Sequence, residues 1–191
     1  MRNLRLAPLV LLALPACGGG PNELAGEPVG QYMVQALLTS NECGTGHPAP
    51  PSLAFYVELR HLPGSTSGYW KLPDGPLVDG WLERNADFRF ASAEELVALA
   101  PDPDFGYPGC NIERREVVAG TLLAGSDGAA EDGGVAAEAE SSFSGGTTVT
   151  ISPLPGGDCT PLLSVYGGVF PTLPCSIEYD LQGERLQEPL F

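Results

Sequence analysis

The sequence predicts an all-β protein, an antiparallel barrel or a two-sheet sandwich of about eight or nine short strands with one short helix. Three observations carry that reading. Apolar residues recur at every second position along most of the chain, the period of a strand with one buried face. Gly (25) and Pro (19) are spread through the 191 residues, which punctuates the chain with turns and breaks long helices. No internal repeat of useful period is present, which counts against a propeller or a solenoid.

The elements follow in order. Tyr32, Val34, Ala36 and Leu38 share one face of a first strand. Leu53, Phe55, Val57 and Leu59 share one face of a second, whose other face carries Tyr56, Glu58 and Arg60. Segments 69–72 and 77–82 flank Pro73-Asp74-Gly75-Pro76, the turn chemistry of a hairpin. If Leu72 faces Leu77, Trp70 faces Asp79 and the rings of Trp70 and Trp81 share one sheet face. Further strands are expected at 87–91, 111–123, 135–143, 147–153 and 175–182. In the last, Ile177, Tyr179 and Leu181 alternate with Ser176, Glu178 and Asp180. The short helix is placed at 92–99, where Ser92 and Glu95 have capping-box spacing and Pro101 stops the run. Segment 125–134, acidic and Gly-rich, reads as a mobile loop, and 156–169 as irregular.

The first 16 residues read as a secretory signal: Arg2 and Arg5, then the apolar run LAPLVLLAL, then small Ala16. The run is too short to span a bilayer, which takes about 20 apolar residues. Leu14-Pro15-Ala16-Cys17 resembles the lipobox of bacterial lipoproteins, with Leu three residues before the Cys and a small residue just before it. The resemblance covers the N-terminus and not the body. It implies cleavage after Ala16 and a lipidated Cys17; Gly18, where inner-membrane members often carry Asp, favours an outer-membrane address on the periplasmic or cell-surface face. Two or more acyl chains give the stable anchoring that one cannot. Segment 18–30, GGGPNELAGEPVG, has the composition of a flexible tether spanning on the order of 20 Å. The expected organisation is thus a signal peptide at 1–16, lipidated Cys17 with its tether at 17–30, and one β domain at 31–191.

Charge limits the partners. Nine Lys or Arg against 24 Asp or Glu give a formal net charge of −15, and loss of Arg2 and Arg5 leaves −17. Nucleic acid and anionic lipid need clustered Lys and Arg, so neither is an expected partner of the body. Arg114-Arg115 is not a basic patch, because neighbours in a strand point to opposite faces, and one should pair with an acid.

Once Cys17 is set aside, Cys43, Cys110, Cys159 and Cys175 remain, an even number in an exported chain, which reads as two disulfides. The Gly- and Pro-containing segment between Cys159 and Cys175 favours closing that pair, leaving Cys43 with Cys110; three connectivities remain open.

No constellation of catalytic residues stands out. His47 in GHPAPP and His61 in RHLPGS sit in loop contexts, and GSTSG at 64–68 has Thr where a nucleophile elbow needs Ser. Paired carboxylates of a hydrolase would be dispersed in the chain, where spacing cannot identify them. Asp102 and Asp104 are weak calcium candidates, since Asp beside Pro is also ordinary turn chemistry. No cofactor is implied. Tyr69, Trp70 and Trp81, with Phe105 and Tyr107, are candidate aromatics for a ligand, although large rings also fill cores. The expectation is a non-enzymatic binding or interaction module of the cell envelope, whose partner besides the membrane is a glycan, a small apolar ligand or an envelope protein. The alternatives are a secreted hydrolase and a structural envelope protein.

Overall fold

The alternating segments pair with their neighbours in chain order. The computed structural model describes residues 26–83, 87–124 and 140–188. Its strands are β1 (Glu27–Asn41), β2 (Ser52–His61), β3 (Ser67–Lys71), β4 (Leu77–Leu82), β5 (Asp87–Leu99), β6 (Cys110–Ala124), β7 (Glu140–Pro153) and β8 (Cys175–Arg185). Each is antiparallel to the next, and β8 returns to β1 from Tyr32↔Arg185 to Asn41↔Ile177, closing the barrel. Barrel, not sandwich, is the outcome; the short β3 and β4 pair only with Glu58–His61 of β2 and with Phe88–Phe90 of β5.

Four of the expected local details differ. The segment expected to be helical continues β5, pairing from Ser92↔Glu116 to Leu99↔Cys110. A helix there would strip β6 of its partner over half its length, and that ladder outweighs the helix preference of AEELVAL. Segments 140–143 and 147–153 are one strand running through Gly145 and Gly146, where turn chemistry suggested a break; residues 135–139 lie outside the described residues. The hairpin register is Lys71↔Leu77 and Trp70↔Val78, one residue from the expected one. Because side chains alternate, that single step sends Trp81 to the outer face while Trp70 points in. The observed register also turns Gly80 inward beneath Phe90, where a Cβ would lie 2.7 Å from the ring. Finally, β1 begins at Glu27, so residues 27–30 of the expected tether belong to the sheet. The signal, the lipobox with Cys17 and the whole of the 125–134 segment lie outside the described residues.

One half of the interior is filled by rings. Tyr32, Phe88, Phe90, Phe143 and Trp70 are all buried. Phe88 and Phe143 meet edge to face at 5.4 Å, and Trp70 stands about 6 Å from Phe90 and Phe143. Eight strands enclose little more room than side chains need, so these rings fit only over glycines. A Cβ on Gly183 would lie 2.1 Å from Cε1 of Phe143, and one on Gly120 2.7 Å from Cζ of Phe88. On the outer face Glu58 is buried under Arg60, which donates to its carboxylate and to the carbonyl of Gly26, fastening the start of β1 to β2.

Both disulfides staple the opposite end. They join Cys43 to Cys175 and Cys110 to Cys159, not the pairs that the short loop suggested. Adjacency in the sheet decides the first: β1 and β8 are ladder neighbours, and the two cysteines flank the end of that ladder. The second forms because the β7–β8 connection folds back over the start of β6, with Asp158 N–H donating to the carbonyl of Gly109.

Candidate functional site

The interior is not filled at the disulfide end. There it holds a cavity of two lobes, about 360 Å³ and about 560 Å³, which share Trp70, Leu72, Arg114, Glu116 and Val118. These sizes fall within the range of small-molecule sites. Trp70 is the floor, with one side against the packed rings and the other facing the cavity. The first lobe lies under the β1–β2 connection, whose His47, Pro48 and Pro50 overlie Phe55, Tyr179 and Leu181. The second lies between the β3–β4 hairpin and β5, against Pro76, Val78, Phe90, Ser92 and Glu94.

The wall is apolar with a polar girdle. On β6 the inward row reads Ile112, Arg114, Glu116, Val118, so two charges interrupt an otherwise apolar face. Nη2 of Arg114 donates to Oε2 of Glu116 at 2.9 Å, and the two side chains remain 28 % and 33 % exposed, so the pair lines a space that water reaches. An ion pair sealed in a barrel core would carry a desolvation cost that this opening relieves. In the ladder Glu94 lies opposite Arg114 and Ser92 opposite Glu116. Burial and the Arg114 charge hold His47 below its ordinary value of 6.5, against an opposing pull from Glu116. Its imidazole is therefore neutral at pH 7. Burial raises the Tyr179 phenol, which stays neutral. The Thr147 hydroxyl is buried in the same wall without a hydrogen-bond partner among the described residues.

Of the expected ligand-facing aromatics, Trp70 lines the cavity. Tyr69 and Trp81 alternate with inward residues and lie on the outer face. Phe105 projects from the β5–β6 connection at 88 % exposure, and with Val165 and Tyr166 of the β7–β8 connection it gives the loop end an apolar surface. Tyr107 serves structure, donating its hydroxyl hydrogen to the Asp158 carbonyl. Asp102 accepts the backbone N–H groups of Asp104 and Phe105, an Asx turn that occupies one carboxylate oxygen. Among the described residues no group of three or more His, Cys, Asp or Glu is arranged to hold a metal ion. His61 ends β2 and is half-buried, away from the cavity.

Sequence reasoning placed one arginine of the Arg114-Arg115 pair against an acid, and Arg114 with Glu116 is that pair. It did not single out Glu94, Glu116, Thr147 or Tyr179 as site residues. The available signal was the interruption of an apolar row at Arg114 and Glu116; Glu94 and His47 carry no comparable mark. Comparison with protein-family models, characterised proteins and solved structures finds no match.

Proposed function

We propose that the protein is a non-enzymatic binding module of the bacterial cell envelope, anchored through a lipid on Cys17 at the outer membrane, that takes a small molecule into its barrel. The observation that carries the binding reading is the unfilled half of the interior: an apolar, aromatic-floored cavity with a few convergent polar groups. A purely structural barrel has no need of an unfilled interior, and strands of this number close comfortably over packed side chains. The anchoring reading rests on the lipobox resemblance.

Two measurements test the two halves. Thermal melting of the oxidised, lipid-free chain with calcium, simple glycans, peptidoglycan fragments and apolar small molecules should give a raised midpoint with the apolar small molecules. A ligand that binds only the folded state adds about 2.7 kcal/mol at a hundredfold excess over its dissociation constant. No shift with apolar molecules would sink the binding reading. Cys17→Ser should release the protein from the membrane fraction, and a variant that stays membrane-bound would remove the anchor.

A further inference from the structure

Resting on that reading of the cavity, we propose that its ligand is an organic cation, a protonated amine on an apolar body, and not a fatty acid or other carboxylate. Among the described residues, the charges that line the two lobes are one guanidinium, Arg114, and two carboxylates, Glu116 and Glu94. The lining thus has one net negative charge, inside a chain whose own net charge is −15.

Arg114 is the one group that would attract a carboxylate, and it is already engaged. Its guanidinium donates to Glu116, and Glu94 is its partner position in the ladder. An anion taking the remaining guanidinium N–H groups would sit beside the Glu116 carboxylate, with Glu94 exposed at the rim of the second lobe, and like charges repel at close range. His47 adds no positive charge at neutral pH, since burial and Arg114 keep it unprotonated.

A cation meets the opposite environment. An ammonium group near the girdle finds the carboxylate of Glu116, shared by both lobes, and on the second lobe's side that of Glu94 as acceptors. Phe55, Trp70 and Tyr179 line the first lobe, and aromatic faces attract cations. The apolar remainder of the ligand covers Leu72, Val118 and Leu181.

The test uses a head-group series on one chain: decylamine, decanol and decanoate, each below its micelle concentration at pH 7. The full-length chain carries Cys17→Ser and Trp81→Phe, which leaves Trp70 as its single tryptophan and as the reporter of cavity occupancy. Decylammonium should quench or shift Trp70 fluorescence with an affinity about tenfold tighter than decanoate. Decanol should fall between them. The double variant Glu94→Gln/Glu116→Gln reverses the lining to one net positive charge and should reverse the order of amine and carboxylate. Glu94→Gln alone should weaken the amine and leave decanol unchanged, should the double variant fail to fold. Decanoate binding as tightly as the amine, or an amine preference indifferent to both variants, would overturn the proposal and leave the cavity as a neutral apolar site. If none of the three perturbs Trp70, the small-molecule reading of the cavity fails and the proposal with it.

Discussion

At the scale of single residues, the ones that carry argument are those that break the alternation. Arg114 and Glu116 occupy inward positions of β6 where the pattern asks for apolar groups, and they make a water-accessible pair. His47 overlies the same space and is held neutral by burial and by Arg114. Its folded-state value lies below the 6.5 of the free side chain, so on acidification the unfolded chain takes up this proton first. His47 therefore lowers stability as pH falls below about 6.5, until its folded-state value is reached, and has no effect above. Urea denaturation from pH 7.5 to 5 should show this loss, and His47→Gln should flatten that part of the profile. An unchanged slope in the variant would mean that other groups carry it. The position of His47 in a Gly- and Pro-rich segment gave no sign of this, because the packing partner comes from β6, more than sixty residues away in the chain.

At the scale of elements, sheet register and glycine placement govern what the interior holds. The Gly183 face of β8 and the Gly120 face of β6 carry no side chain because Phe143 and Phe88 occupy that volume. Gly183→Ala should cost about 1–3 kcal/mol, since the ring of Phe143 has no free direction in which to move. Combining it with Phe143→Leu should restore part of the loss, and denaturant midpoints for the two single variants and the double would show the coupling. Additive losses would remove the ring-on-glycine account. The same scale explains the two segments read differently from sequence. Segment 92–99 has helix formers, yet it pairs along the first half of β6, from Ser92↔Glu116 to Leu99↔Cys110. The Ser144-Gly145-Gly146 stretch has turn residues, yet it is the place where β7 and β6 backbones approach over paired glycines. Local preference is worth tenths of a kcal/mol per residue, and a ladder spanning a whole strand exceeds that.

At the scale of the molecule, the disulfides and the cavity share one end of the barrel, and the aromatic core with the start of β1 occupies the other. Cross-links 132 and 49 residues apart in sequence constrain the unfolded chain by about 5 and about 4 kcal/mol in the chain-entropy account. Replacing Cys43 and Cys175 together by Ala should lower stability by about 2–5 kcal/mol, read from urea denaturation of the oxidised protein. Peptide mapping without reduction should recover Cys43 with Cys175 and Cys110 with Cys159. Recovery of a peptide pairing Cys159 with Cys175 would contradict both observed cross-links.

Much of this architecture was legible in the order of residues. The all-β class, most strand positions, the inward rows of β1, β2 and β8, and the number of disulfides follow from period two, turn residues and an even cysteine count, all of which are local or countable. Other features depend on which strands lie side by side. Closure of β8 on β1 makes a barrel instead of a sandwich and pairs Cys43 with Cys175, and the β5–β6 ladder makes a strand of the helical pattern at 92–99. A one-residue step in the β3–β4 hairpin keeps Trp70 at the cavity floor and sends Trp81 to solvent. The polar girdle likewise assembles from β5, β6, β7 and the β1–β2 connection. These are contacts between residues distant in the chain, and their free energy appears only once the barrel has closed.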